Sequence, residues 1–205
     1  MLFRSTCALL TLLLAGPAAA DLLNAGDANN LLQLEDVVTA GISNTTDLTF
    51  LPDARMVIIE KSGKIHLRAT NGTLSLAGTI TVGQNGESGL LGVVAHPDFA
   101  TNGRLILYYS HPTNGQTVGY VTLTSGGTLA SNTPVKLIDG IDGEWNHVGG
   151  GLAIGPDGKL YVSVGDAAGN PDDDPTNPST WDPWSWYPSC LDALNGKILR
   201  LNVDG

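Results

Sequence analysis

Residues 149–166 read GGGLAIGPDGKLYVSVGD, and this stretch predicts a β-hairpin. Apolar residues alternate with small or polar ones on both sides of a Pro-Asp-Gly turn at 156–158. Alternation with a period of two around such a turn is typical of paired antiparallel strands. Glycine is abundant along the whole chain, and only residues 31–38 could form a brief helix. The sequence therefore predicts the all-β fold class.

A histidine and an aspartate flank the predicted hairpin. His147 stands just before the outgoing strand, and Asp166 stands just after the returning one. Because a hairpin returns the chain to the edge that it left, we expect both side chains at one rim of a sheet. A carboxylate orients a neighbouring imidazole and stabilises its cationic form. The pair therefore predicts a proton-abstracting site, with a structural histidine bonded to a backbone carbonyl as the alternative.

The hairpin pattern occurs three times along the chain. Pro-Asp turns stand at 52–53, 97–98 and 156–157, each between two apolar, alternating segments. Four strands in a unit of roughly 40–50 residues is the period of a β-propeller blade. The chain holds about three such units, whereas propellers close with about 4–8 blades. We therefore predict a C-terminally incomplete β-propeller over residues 41–205, with another repetitive β architecture as the alternative.

The N-terminus has the composition of an export signal. Arg4 precedes a short apolar stretch, and Ala18 to Ala20 form a small-residue cleavage pattern. These features predict a signal peptide over 1–20, a lead segment over 21–40 and a secreted or periplasmic protein without a membrane span. The net charge of −10 argues against nucleic acid and anionic membranes as partners, because both attract basic surfaces.

The other polar candidates have less distinctive surroundings. Glu87 lies in a glycine-rich loop, either at a rim or as a solvated acid. His96 occupies a Pro-Asp turn and is expected to pack, whereas His66 and His111 are expected at the surface. Residues 172–174 are aspartates that suit calcium or a solvated loop. Residues 181–187 contain three tryptophans and a tyrosine, which suit sugar stacking, a partner contact or a local core.

Four segments in order resemble the soluble family of glucose/sorbosone dehydrogenases that depend on pyrroloquinoline quinone (PQQ). They are residues 41–65, 87–103, 146–166 and 195–200, and the resemblance covers about residues 36–205. It implies a six-bladed propeller, here partial, with PQQ and calcium at its central face. It also implies oxidation of an aldose sugar at the anomeric carbon, with electrons passing to an external acceptor.

The resemblance also implies roles for individual residues. His147 matches the general base, and Asp166 matches the residue that orients it. Glu87 and Asn146 match positions that line the cofactor pocket. The family's basic residue at the quinone and its calcium-coordinating backbone lie on later blades, so we expect the isolated chain to be inactive. The alternative is a secreted, non-catalytic binding propeller, because Hedgehog-interacting proteins resemble the same family and serve protein recognition.

Overall fold

The computed structural model describes residues 35–143, 146–167 and 191–204. The described residues from Gly41 onward belong to one compact unit, and the described residues 35–40 belong to a separate one. Residues 35–40 contain neither helix nor strand, so the brief helix expected at 31–38 is absent from its described part. The predicted signal peptide, the aspartates at 172–174 and the aromatic segment at 181–187 lie outside the described residues. Among the described residues, no helix is long and apolar enough to cross a membrane.

The described residues of the larger unit form three antiparallel sheets, in each of which every strand pairs with its neighbour in sequence. The first sheet contains β1 (Thr45–Phe50), β2 (Met56–Glu60), β3 (Lys64–Arg68) and β4 (Leu74–Thr79). The second contains β5 (Leu90–Ala95), β6 (Arg104–Ser110), β7 (Gln116–Thr122) and β8 (Val135–Ile141), with the one-turn helix α1 (Phe99–Asn102) between β5 and β6. The third contains β9 (Gly149–Ile154), β10 (Leu160–Val164) and β11 (Ile198–Leu201). Each Pro-Asp turn joins the first two strands of a sheet, as predicted.

The first strands of successive sheets lie side by side, β1 against β5 and β5 against β9. Thr46 donates its hydroxyl to the carbonyl of Leu90 across the first contact, at 2.7 Å. A Cβ on Gly92 would lie 2.0 Å from the carbonyl oxygen of Gly150 across the second. The backbones therefore meet with no room for a side chain. Sequential meanders whose first strands line one inner edge are the arrangement of propeller blades, and the predicted fold class is confirmed.

The alternation of β6 shows how the sheets share their cores. Leu105, Leu107 and Tyr109 pack into a cluster with residues of the first sheet. Ile106 and Tyr108 point the other way, into a cluster with β9 and β10 of the third sheet. Because successive side chains of a strand alternate between its two faces, one strand supplies both cores. The middle sheet is thus buried on both faces, which holds the three sheets in fixed order.

The expectation that His66 lies at the surface is wrong. Its side chain is 7% exposed, and its Nε2 lies 2.9 Å from Oε1 of Glu60, whose side chain is 3% exposed. Glu60 also accepts hydrogen bonds from the Ser43 amide at 3.0 Å and the Ser62 hydroxyl at 3.2 Å. His66 alternates with Lys64 and Arg68 along β3, so the sequence offers no partner for it. The segment before β1 closes over the face of β3 that carries His66, and a charged partner makes burial of the histidine tolerable.

The acid stability of the first sheet tests this buried pair. Burial opposes ionisation of Glu60, but the hydrogen bonds from Ser43, His66 and Ser62 outweigh it and lower the pKa of the carboxyl below its usual 4.5. A carboxyl whose pKa is lowered by folding stabilises the fold at pH values above its usual pKa. That contribution is lost as the pH falls through the pKa of the folded state. We expect Glu60→Gln to reduce the free energy of unfolding at pH 7 by about 1.5–3 kcal/mol. Urea unfolding should also show a weaker dependence on acid than in the wild type.

Asp53→Asn is the control for this prediction. Asp53 also has a lowered pKa, caused chiefly by its hydrogen bond from Arg55, but its side chain is 51% exposed. Solvent screens such a pair, so its removal should cost less than about 1 kcal/mol. Equal acid sensitivity of the wild type and Glu60→Gln would contradict the assigned role of Glu60.

Candidate active site

The β9–β10 hairpin brings His147 and Asp166 together, as predicted. Nδ1 of His147 lies 3.0 Å from Oδ1 of Asp166. A carboxylate only accepts hydrogen bonds, so the contact assigns the proton of a neutral ring to Nδ1. Nε2 is then the basic atom of the ring. The two side chains are 52% and 45% exposed, so a small molecule can reach them.

Glu87 joins this pair from the neighbouring sheet. Its Oε2 accepts a hydrogen bond from the backbone amide of His147 at 2.7 Å. Beside it, Lys61 donates to the carbonyl of Gly86. The loop before β5 thus meets the loop before β9, and the site spans two blades. Asn146 is half-buried and directly precedes His147 in the same loop.

The backbone of His147 is in the left-handed region, with φ of 47°. Non-glycine residues rarely adopt this conformation. The carbonyl of His147 accepts a hydrogen bond from the Ala167 amide at 3.3 Å. It also lies so close to Gly165 that a Cβ there would be 1.7 Å from the oxygen. Strained backbone persists where the surroundings fix it, and it concentrates at functional sites.

Three side chains that the sequence analysis did not single out hold the loop that carries His147. The buried Gln116 donates to the Gly143 carbonyl at 2.7 Å, and the buried Asn195 donates to the Asp142 carbonyl at 2.7 Å. Tyr108 donates to the Val148 carbonyl at 2.6 Å. Burial raises the pKa of Tyr108, so its hydroxyl remains a donor. Gln116 has no sequence signature, because its partner is a backbone carbonyl distant in sequence. Asn195 opens the segment 195–200 that resembles the family, but nothing in the sequence indicates its contact with Asp142.

The described residues contain no cluster of ionisable side chains suited to calcium. No three histidine, cysteine, aspartate or glutamate side chains among them lie close enough together to hold a metal ion. Glu87 contacts the backbone and Asp166 the ring of His147, and calcium there would need further oxygen ligands, such as backbone carbonyls and water, to reach the six to eight that it takes. The calcium expectation therefore receives no support from this part of the chain.

The blade-like sheets define a β-propeller, and an exposed pair of His147 and Asp166 lies at one rim of it. The family model for glucose/sorbosone dehydrogenases matches residues 42–205. The chain belongs to this family, and the family resemblance found in the sequence is confirmed.

Three similar proteins place the chain within the family. It is 33% identical over 172 residues to the aldose sugar dehydrogenase YliI of Escherichia coli, covering 77% of this chain and 41% of that protein. It is 27% identical over 190 residues to quinoprotein glucose dehydrogenase B of Acinetobacter calcoaceticus, covering 82% and 39%. A Thermus thermophilus structure described as a glucose dehydrogenase matches with a TM-score of 0.66 and 34% identity, covering 82% and 46%. The chain thus spans less than half the length of each of these proteins.

Proposed function

We propose that this chain supplies the proton-abstracting part of a PQQ-dependent sugar dehydrogenase that oxidises an aldose at its anomeric carbon. The observation that carries the proposal is the 3.0 Å contact between His147 Nδ1 and Asp166 Oδ1 in a chain of this family. A secreted or periplasmic location, a small sugar as substrate and an external electron acceptor complete the proposal.

The proposed chemistry needs a base at the hydroxyl of the reacting carbon. With Nδ1 donating to Asp166, Nε2 of His147 would take the hydroxyl proton as the carbonyl of the lactone product forms. Asp166 would hold the ring and stabilise the imidazolium that results. PQQ, when bound, would accept the hydride that leaves the anomeric carbon. The loss of one proton and one hydride from the sugar balances its two-electron oxidation.

The described residues fit the sugar side of such a site. The ring of His147 is half exposed, and Nε2 makes no hydrogen bond to the described residues. Glu87 fixes the backbone of the base through its amide, and the half-buried Asn146 is proposed to line the same pocket. Lys61, bonded to Gly86, adds a cation near the rim, which suits an anionic cofactor. Calcium remains a proposal from family resemblance, and no step is assigned to it.

Calorimetric titration with PQQ tests the proposed function. PQQ is added to the purified chain, and to the longer protein if its gene encodes further blades, with calcium and with a chelator. We expect saturable one-to-one binding by the form that closes the cofactor site, and reduction of a redox dye when glucose is added. Failure of every form to bind PQQ would contradict the proposal and favour a non-catalytic binding propeller.

A further inference from the structure

A chain of buried hydrogen bonds joins the loop of Glu87 to the loop of His147. The Gly89 amide donates to the Ser110 hydroxyl at 3.1 Å, and that hydroxyl donates to Oε1 of Gln116 at 2.8 Å. Nε2 of Gln116 then donates to the Gly143 carbonyl at 2.7 Å. Ser110 is 3% and Gln116 1% exposed. We call these two side chains and their contacts the Ser110–Gln116 relay.

The two ends of the relay lie beside the candidate active site. Gly89 is two residues after Glu87, which accepts the hydrogen bond from the His147 amide. Gly143 is in the loop that leads to His147, and a Cβ on it would lie 3.7 Å from Cβ of Ala167. Ala167 in turn follows Asp166 directly. The relay therefore connects three segments that must keep their spacing if His147 is to meet both Glu87 and Asp166.

Among the described residues, the last link of the relay, from Gln116 to Gly143, is made by a side chain where backbone pairing provides none. Backbone bonds hold Ser110 to Gly89, and the β7–β8 ladder ends at the pair Gln116 and Ile141. Beyond Ile141 the chain leaves the second sheet. The side chain of Gln116 on β7 reaches this loop by its hydrogen bond to the Gly143 carbonyl. A buried amide with both of its polar atoms satisfied fixes a geometry that an apolar side chain of equal size would not.

We propose that Gln116, supported by Ser110, is a positioning residue for the active site: it fixes the ring of His147 against Asp166. The inference rests on the proposed function only where it gives the contact between His147 and Asp166 a role in catalysis. The contact itself can be measured in the chain with no cofactor or substrate. A failed PQQ titration and a failed positioning role are therefore distinguishable.

Nitrogen-15 NMR of the histidine rings provides the test. The chain has four histidines, and the loss of one ring signal in His147→Ala assigns His147. We expect the neutral ring of His147 in the wild type to carry its proton on Nδ1, as the Asp166 contact requires. In Gln116→Met, which keeps the length of the side chain but removes the amide, we expect the ratio of Nδ1-protonated to Nε2-protonated ring to fall about 2- to 10-fold, the effect of losing one such hydrogen bond.

Thr117→Val is the matched control. Thr117 is the next residue on β7, is fully buried, and its hydroxyl has no hydrogen-bond partner among the described residues. Its replacement should leave the His147 ring signal unchanged. Ser110→Ala breaks the same relay with a smaller change, and should move the signal in the same direction as Gln116→Met even if the larger change prevents folding.

Two results would overturn the inference. One is a His147 ring signal that neither Gln116→Met nor Ser110→Ala alters, which would make the relay a feature of loop packing alone. The other is an equal change in Thr117→Val, which would show that any disturbance of β7 loosens the site. Gln116 also lines a cleft of about 350 Å³ between the same loops, and measurement without ligand separates positioning from any contact made there.

Discussion

Replacing His147 with glutamine is expected to lower the rate of sugar oxidation by about 10²–10⁴-fold, the usual contribution of a positioned general base. The measurement is turnover of glucose by the form of the protein that binds PQQ, at saturating cofactor. Glutamine keeps polarity and approximate size, so the backbone contacts of His147 to Glu87 and Ala167 can persist. Because the lost function is proton abstraction, PQQ binding should be retained while the chemical step slows.

His111→Gln is the control for this loss. His111 is half-buried in the loop between β6 and β7, and its Nδ1 lies 3.3 Å from the Thr113 amide, with no carboxylate at hydrogen-bond distance among the described residues. Its replacement should leave turnover close to that of the wild type. Equal turnover by His147→Gln and the wild type would exclude His147 as the base and with it the proposed mechanism.

Gly165→Ala is expected to destabilise the chain by about 3 kcal/mol or more, at the upper end of the range for overpacked sites. The new Cβ would lie 1.7 Å from the oxygen and 2.5 Å from the carbonyl carbon of His147, and 2.9 Å from the amide nitrogen of Gly149. All three are backbone atoms, so no side-chain rotation can relieve the overlap. Urea unfolding measures the loss, and the ring signal of His147 should change with it.

Substitutions at two other glycines serve as controls, and they distinguish steric overlap from backbone conformation as the cause of the destabilisation. Gly158 has φ of +71° and open space around its Cβ direction, so Gly158→Ala should cost only the left-handed penalty of about 1–2 kcal/mol. Gly126 has neither constraint, with Thr124 Oγ1 at an ordinary 3.7 Å, and its replacement should be nearly neutral. A loss in Gly165→Ala no larger than in Gly158→Ala would show that the loop at His147 yields easily.

The fold could be predicted because its information is local. Period-two alternation and the three Pro-Asp turns mark strand pairs directly, and the order of sheets follows the order of the repeats. The meeting of His147 and Asp166 was predictable for the same reason, since one hairpin connects them. The 3.0 Å contact between their side chains therefore follows from adjacency within a single supersecondary unit.

What the sequence could not reveal depends on tertiary contacts that the pattern of a single strand does not specify. His66 was assigned to the surface because β3 alone offers no reason for its burial, and the reason is Glu60 and the segment that closes over it. Gln116 resembles any polar residue at the start of a strand, and its partner Gly143 lies 27 positions away. The contact of Glu87 with the His147 amide spans 60 positions and two sheets. Of these three contacts, the one between Glu87 and His147 joins two sheets, and all three depend on tertiary packing, which no local pattern encodes.

His147 has a left-handed backbone conformation. Under the proposed function, the residue that favours catalysis at this position is therefore not the residue that favours stability of the fold. Glycine would occupy that conformation without penalty, so a search for more heat-resistant variants would tend to favour loss of the imidazole. Any lineage that no longer needed the chemistry would be free to make that exchange. Under the proposed function, the residue that aligns with His147 in a related protein would therefore indicate whether that protein has kept the base.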